Sequence, residues 1–185
     1  MRARTKMLIA GSALIAGIVA AAPPINLAKL LADGKLRAVN REVTKVPDKP
    51  EGVHMTEAPG SGIVWIEGSD LAQGTIEVEI RGRDVFQQSF VGVAFHGKDD
   101  KTYEGVYLRP FNFRAQDPVR HKHAVQYISM PEHDWPVLRE KFPDEFERAV
   151  DPSIGPTDWV PPGSGAGEKH RCLLRERCKA DADRS

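Results

Sequence analysis

Arg109, Asn112 and Arg114 are the residues of this chain with the most evident capacity for chemistry. They follow a strand-like run and alternate with Phe111 and Phe113. Arginine offers a rigid planar fork of donors, and asparagine offers both a donor and an acceptor. Such groups beside Tyr107 and Trp135 suit a sugar or a uronate. Aromatic rings stack on the apolar faces of the sugar while the polar groups bond its hydroxyls. The same arginines also suit a plainer role, pairing with Glu77, Glu79 or Asp117 to hold a sheet edge.

The elements that must position them are two strands. Ser89 to Phe95 alternates, with Val91, Val93 and Phe95 on one face, and Gly97-Lys98-Asp99-Asp100-Lys101 is turn chemistry. Tyr103 to Arg109 alternates again, with Val106 and Leu108 joining that apolar face. The opposite face carries Gly92, Ala94, His96, Gly105, Tyr107 and Arg109, a shallow trough for a flat ligand. Gln126, on a neighbouring strand, lines the same face. The expected ligand-binding set is therefore His96, Tyr107, Arg109, Asn112, Arg114 and Gln126. Trp65, Tyr127 and Trp159 read as core or rim.

Other constellations carry less. Glu77 and Glu79 share a strand face, and retaining glycosidases need two carboxyl groups about 5–5.5 Å apart. Here Arg81 stands where a third acid would, so a solvated face neutralised by Arg81 is the simpler account. His96, His121 and His123 have no fixed metal-ligand spacing and read as loop histidines. Asp99-Asp100 is a weak calcium signal. No nucleophile elbow, phosphate loop or dinucleotide glycine pattern occurs. No cofactor or metal is expected.

Along the rest of the chain, Ile25 to Asp33 is a short amphipathic segment closed by Gly34. Lys35 to Val46 reads as a strand ended by Pro47 and Pro50. Val53–Ala58 and Ile63–Glu67 read as a hairpin about Pro59-Gly60-Ser61-Gly62. Thr75–Arg81 and Ala124–Ser129 are further strands. Trp135–Val150 is a helical or irregular excursion broken at Pro143. Short strands separated by turn signals predict an all-β antiparallel sandwich rather than a parallel α/β sheet.

The segments SFVGVAFHG and VYLRPFNFR, with Ile25-Asn26-Leu27, Gly74 to Arg81 and His123 to Ile128, resemble bacterial secreted proteins of the concanavalin A-like jelly-roll class. That group includes the 3-keto-disaccharide hydrolase domain, laminin-G-like domains and family 16 glycoside hydrolases. The resemblance covers Ile25 to Trp159. It implies a two-sheet antiparallel sandwich and a carbohydrate-related role. In family 16, acidic residues alternate along one strand, and Arg81 departs from that pattern.

Bulk properties narrow the function. Lysine plus arginine number 26 and aspartate plus glutamate 26, so the net charge is zero and nucleic-acid binding has no electrostatic support. Arg2, Arg4 and Lys6 precede an apolar run from Met7 to Ala22, which reads as a secretory signal cut after Ala21 (residues 1–21). The run is shorter than the roughly 20 residues of a spanning helix. The expected product is extracytoplasmic, periplasmic or secreted, with no stable membrane insertion.

Residues 25–159 form the expected domain, and 160–185 are expected to be a poorly packed tail, so the sandwich is expected to lack its C-terminal strands. Back-translated with freely chosen synonymous codons and read one base later, Val160 to Lys179 spells a strand, a turn and a second strand, the pattern of a frameshift. A disordered glycine-serine tail is the alternative. Cys172 and Cys178, the only cysteines, lie in this tail. The leading functional expectation is a secreted carbohydrate-binding or carbohydrate-associated sandwich. A glycoside or keto-sugar hydrolase using a histidine or glutamate as acid or base is the second, and a protein-binding adhesion module the third.

Overall fold

The computed structural model describes residues 23–70, 74–150 and 154–162. The expected signal segment (residues 1–21), Cys172 and Cys178 lie outside them, as do residues 163–185. Among the described residues no helix is long and apolar enough to cross a membrane. The described residues fold mostly into antiparallel strands, with three short α-helices, so the all-β reading holds at that level.

Helix α1 spans Leu27–Ala32. Asn26 caps it by accepting from the Lys29 amide at 2.7 Å, and Gly34, at φ 68°, ends it in a left-handed turn. The strand expected over Lys35–Val46 is two strands, β1 Leu36–Val39 and β2 Val43–Val46. They part at Asn40, which adopts φ 53°. Asparagine adopts this conformation more readily than most residues, and its amide is held by donating to the carbonyls of Pro59 and Ser61 at 2.9 Å each.

The expected hairpin about Pro59–Gly62 does not form. Strand β3 Lys49–Met55 pairs with β2, and β4 Ile63–Ile66 pairs with β1. The two-residue turn Pro47-Asp48 closes β2 on β3 with little chain to order. The Pro59–Gly62 loop is held instead by Asn40 and by Arg41, whose guanidinium donates to the Gly60 carbonyl at 2.7 Å. Pro50 falls inside β3, where it is tolerated because β3 is paired on one side only.

Thr75–Arg81 is not a strand either. Only Ile80 pairs, in a single antiparallel bridge to Val160. Its alternation is intact in sequence, but a strand is made by its neighbour, and among the described residues that neighbour is one residue long. Glu79 is drawn to Lys49, and Arg81 to Asp48 at 2.7 and 3.1 Å. Glu77 and Glu79 therefore share no strand face.

The main sheet has four antiparallel strands in the order β5-β6-β7-β8: Val91–Phe95, Tyr103–Leu108, Val125–Met130 and Glu147–Arg148. In register, Val91 faces Leu108, Val93 faces Val106, and Leu108 faces Val125. These residues make one apolar face, as the alternation predicts. The opposite face holds Gly92 against Tyr107 and Tyr107 against Gln126. Helix α2, Pro118–Lys122, and helix α3, Trp135–Lys141, are each capped by the preceding aspartate, Asp117 or Asp134.

The core lies on the Leu108–Val125 face, where Phe113, Ala124, Val150, Ile154 and Val160 pack together. Phe95, Tyr127 and Leu138 form a second, smaller cluster. Burial between two sheets, expected for five residues, is met only by full burial of Phe95 and Leu108. Val91, Val93 and Val106 are half-buried, because the cover over this face is the Ile80–Val160 bridge and its neighbours. Val160, placed with the tail by its position beside two prolines, is instead buried in this core.

Gly92 is where β5 and β6 approach most closely. A Cβ there would sit 2.2 Å from the Val106 carbonyl oxygen and 2.6 Å from Tyr107 Cα, both backbone atoms. At Gly105 it would meet only ordinary contacts, the nearest at 3.4 Å. Gly92→Ala is expected to cost about 1–3 kcal/mol by overpacking, and Gly105→Ala under about 1 kcal/mol. Urea unfolding of the two variants checks the difference, and equal midpoints would contradict it.

Candidate functional site

Tyr107, Arg109 and Gln126 do converge on one sheet face. Tyr107 and Arg109 are two apart, so their side chains leave the strand on the same side. Arg109 lies just past the end of β6. Its guanidinium lies over the Tyr107 ring at 5.0 Å and the Trp135 ring at 5.7 Å. One nitrogen donates to the Tyr107 hydroxyl at 2.8 Å and to Gln126 Oε1 at 3.3 Å. The other donates to the His123 carbonyl at 3.0 Å.

The group that organises this face is Glu147 on β8. Its carboxylate accepts from Arg109 at 3.4 Å, from Arg139 Nε at 2.9 Å and again from the Arg139 guanidinium. His123 Nε2 lies 3.2 Å from it. Glu147 is 4% exposed and Arg109 6%. A buried carboxylate is tolerable only when paired and bonded in this way. Gln126, with no exposed surface, donates to the carbonyls of Tyr127 at 2.9 Å and Phe146 at 3.3 Å. Arg109 and Gln126 thus spend their bonding capacity inside the protein. In this arrangement they support the face from within.

Asn112 sits in the 3-10 turn Pro110–Asn112, also buried. It donates to the His123 carbonyl and accepts from Arg120 Nε, each at 3.3 Å. Arg114 is exposed at the surface beyond that turn. His96 does not join the trough. It ends β5 in a left-handed conformation, φ 50°, and its Nδ1 meets Glu104 Oε1 at 3.2 Å on the other side of the sheet. The left-handed turn breaks the alternation that placed it with Tyr107. Ile128 packs beside Gly105, so the open floor narrows to Gly92 and Ala94.

The arginine does pair with an acid, as the plainer reading allowed, but with Glu147. Nothing in the sequence marks Glu147, which lies in the irregular stretch after Pro143. Phe90 is the other residue missed. Its ring sits edge-on to Tyr107 at 5.9 Å and to Phe111 at 5.6 Å, and it is 52% exposed. Trp135 is 40% exposed and carries the Arg139 guanidinium over its ring at 4.8 Å. Together, Phe90, Tyr107 and Trp135 present aromatic surface beside the small residues of β5.

Among the described residues no group of histidine, cysteine and acidic side chains could hold a metal. The Asp99-Asp100 loop is used structurally. Asp99 accepts from the amides of Lys101 and Thr102 at 2.7 Å each, and these bonds hold its carboxyl below the usual range. Asp100 accepts from Arg37 at 2.8 Å and from the Trp65 indole at 2.9 Å. Burial pushes the Tyr107 hydroxyl up to about 12, so it remains protonated. Comparison of the chain with protein-family models, curated proteins and solved structures finds no match.

Two outcomes follow from Glu147. Glu147→Ala leaves Arg109 buried without its carboxylate and is expected to cost about 3–5 kcal/mol in urea unfolding. A loss below about 1 kcal/mol would show the cluster to be incidental. The second concerns His123, which desolvation holds below its ordinary 6.5, although Glu147 pulls the other way. The unfolded chain takes up this proton at about 6.5, the folded chain only at lower pH. Stability from this group is therefore complete above about 6.5 and is lost as pH falls through the lowered folded value. His123→Gln should shrink the acid-side fall in the urea midpoint, and an unchanged fall would exclude His123 as its source.

Proposed function

We propose that the protein binds carbohydrate in the extracytoplasmic space, on the face where Phe90, Tyr107 and Trp135 stand around Gly92 and Ala94. The carrying observation is the pair of half-exposed rings, Phe90 and Trp135, each anchored to the Tyr107–Arg109 unit. Large aromatic rings left in water beside small residues make a platform for the apolar face of a sugar. The buried Arg109, Gln126 and Glu147 hold the platform still, so little ordering is required when a ligand arrives. The N-terminal basic and apolar run supports export.

The architecture in this reading is a concanavalin A-like sandwich with the four-stranded sheet as one leaf. Support comes from the Leu108–Val125 face, which is apolar, and from Ile80 and Val160, which pack on it while bridging each other antiparallel. A bridge of that kind is the first rung of a second leaf.

The test is a glycan array followed by calorimetric titration of the best ligand. Trp135→Ala and Phe90→Ala are each expected to weaken binding by about 0.5–1.5 kcal/mol, the worth of an aromatic contact, with the fold retained by circular dichroism. Absence of any glycan ligand for the unaltered protein, or unchanged affinity in both variants, overturns the reading.

A further inference from the structure

The side of the sheet opposite the aromatic platform carries a second constellation. Glu104, on the central strand β6, has both carboxylate oxygens engaged. Oε1 lies 3.2 Å from His96 Nδ1, and Oε2 accepts from the Tyr127 hydroxyl. Tyr127 is itself buried and stacked on Phe146, with ring centroids 5.5 Å apart. Glu104 is therefore fixed from the core outward, and His96 is fixed by Glu104.

Two more contacts settle the ring. The His96 imidazole stands edge-on to Phe95 at 5.2 Å and 82°. Its backbone holds φ 50°, an uncommon conformation outside glycine. The next residue, Gly97, lies so close to Trp65 that a Cβ would sit 2.3 Å from the indole ring. The turn is thus packed into place from the β1–β4 side. With Nδ1 turned to the carboxylate, Nε2 points away from it, and the His96 side chain is 33% exposed. No bond to Nε2 is formed among the described residues.

We propose that His96, Glu104 and Tyr127 form a proton-transfer site that acts on small carboxylic esters. An imidazole held through Nδ1 by a carboxylate presents Nε2 as a base and stabilises the imidazolium that forms. Water is the nucleophile. Nε2 takes one of its protons as its oxygen bonds to the ester carbonyl carbon. The bond from that carbon to the leaving oxygen then breaks, and the leaving oxygen receives the proton from Nε2. The products are a carboxylic acid and an alcohol, and the imidazole returns to its starting state. A glycoside, by contrast, calls for a paired acid and second carboxylate across the scissile bond, and Glu104 is already committed on both oxygens.

His96 is the catalytic residue here, Glu104 and Tyr127 are positioning residues, and none belongs to the carbohydrate face. The experiment uses the full chain with p-nitrophenyl acetate, following release of p-nitrophenolate in H2O and D2O. The expected result is saturable hydrolysis with a normal solvent isotope effect. His96→Ala should lose at least tenfold in kcat while the other five histidines remain. Glu104→Gln should lower kcat and leave KM unchanged, with a melting temperature near that of the parent. Hydrolysis at the parental rate in His96→Ala, a fall in Glu104→Gln confined to KM, or no saturable turnover overturns the proposal. Glycan binding is unaffected by either outcome, so the two sites are judged separately.

Discussion

A single buried carboxylate holds one face of the four-stranded sheet together. Glu147 sits on a two-residue strand that would have little reason to stay at the sheet edge by its two register pairs alone. It stays because it is the counter-charge for Arg109 from β6 and Arg139 from α3, with His123 against it. Three separate stretches of chain meet at one acid. Moving any of them away would leave a charge in a dry place, which costs several times more than a surface ion pair returns.

The rest of that face follows from this constraint. Because Arg109 is pinned by Glu147, its guanidinium lies over the Tyr107 ring and reaches Trp135. Because the Tyr107 hydroxyl accepts a bond from Arg109, the far end of its side chain is held in place, and Phe90 packs edge-on to its ring. The polar residues face inward and the aromatic ones outward. The face is therefore made of ring surfaces over an ionic scaffold, and the scaffold contributes rigidity.

The two smaller sheets are held by surface clasps of a different kind. Arg37 and the Trp65 indole both bond Asp100 in the β5–β6 turn, and Trp65 packs edge-on to Tyr103. On another side, Lys49 and Arg81 lie over the Trp159 ring at 4.8 and 4.5 Å. These surface ion-pair and cation–π contacts are individually weak. The aromatic ring at the centre of each clasp supplies the apolar area that makes it hold.

What the sequence by itself determined was local. Alternation from Ser89 to Phe95 and from Tyr103 to Arg109 named the strands, their turn and the residues on each face, because a strand's side chains alternate whatever surrounds it. Asn26 and Gly34 marked the ends of α1 for equally local reasons. What only the tertiary structure decided was everything that depends on a distant partner. Thr75–Arg81 alternates but, among the described residues, has one residue to pair with. Ile63–Ile66 had two possible partners, and the tighter Pro47-Asp48 turn took β3 away from it. His96 left its expected face because Gly97 packs on Trp65, 32 residues earlier in the chain. Glu147 carried no local signature at all: a lone acid in an irregular stretch becomes an organising group only when two arginines arrive from elsewhere. Periodicity is a property of a segment, whereas charge pairing and strand pairing are properties of the folded whole.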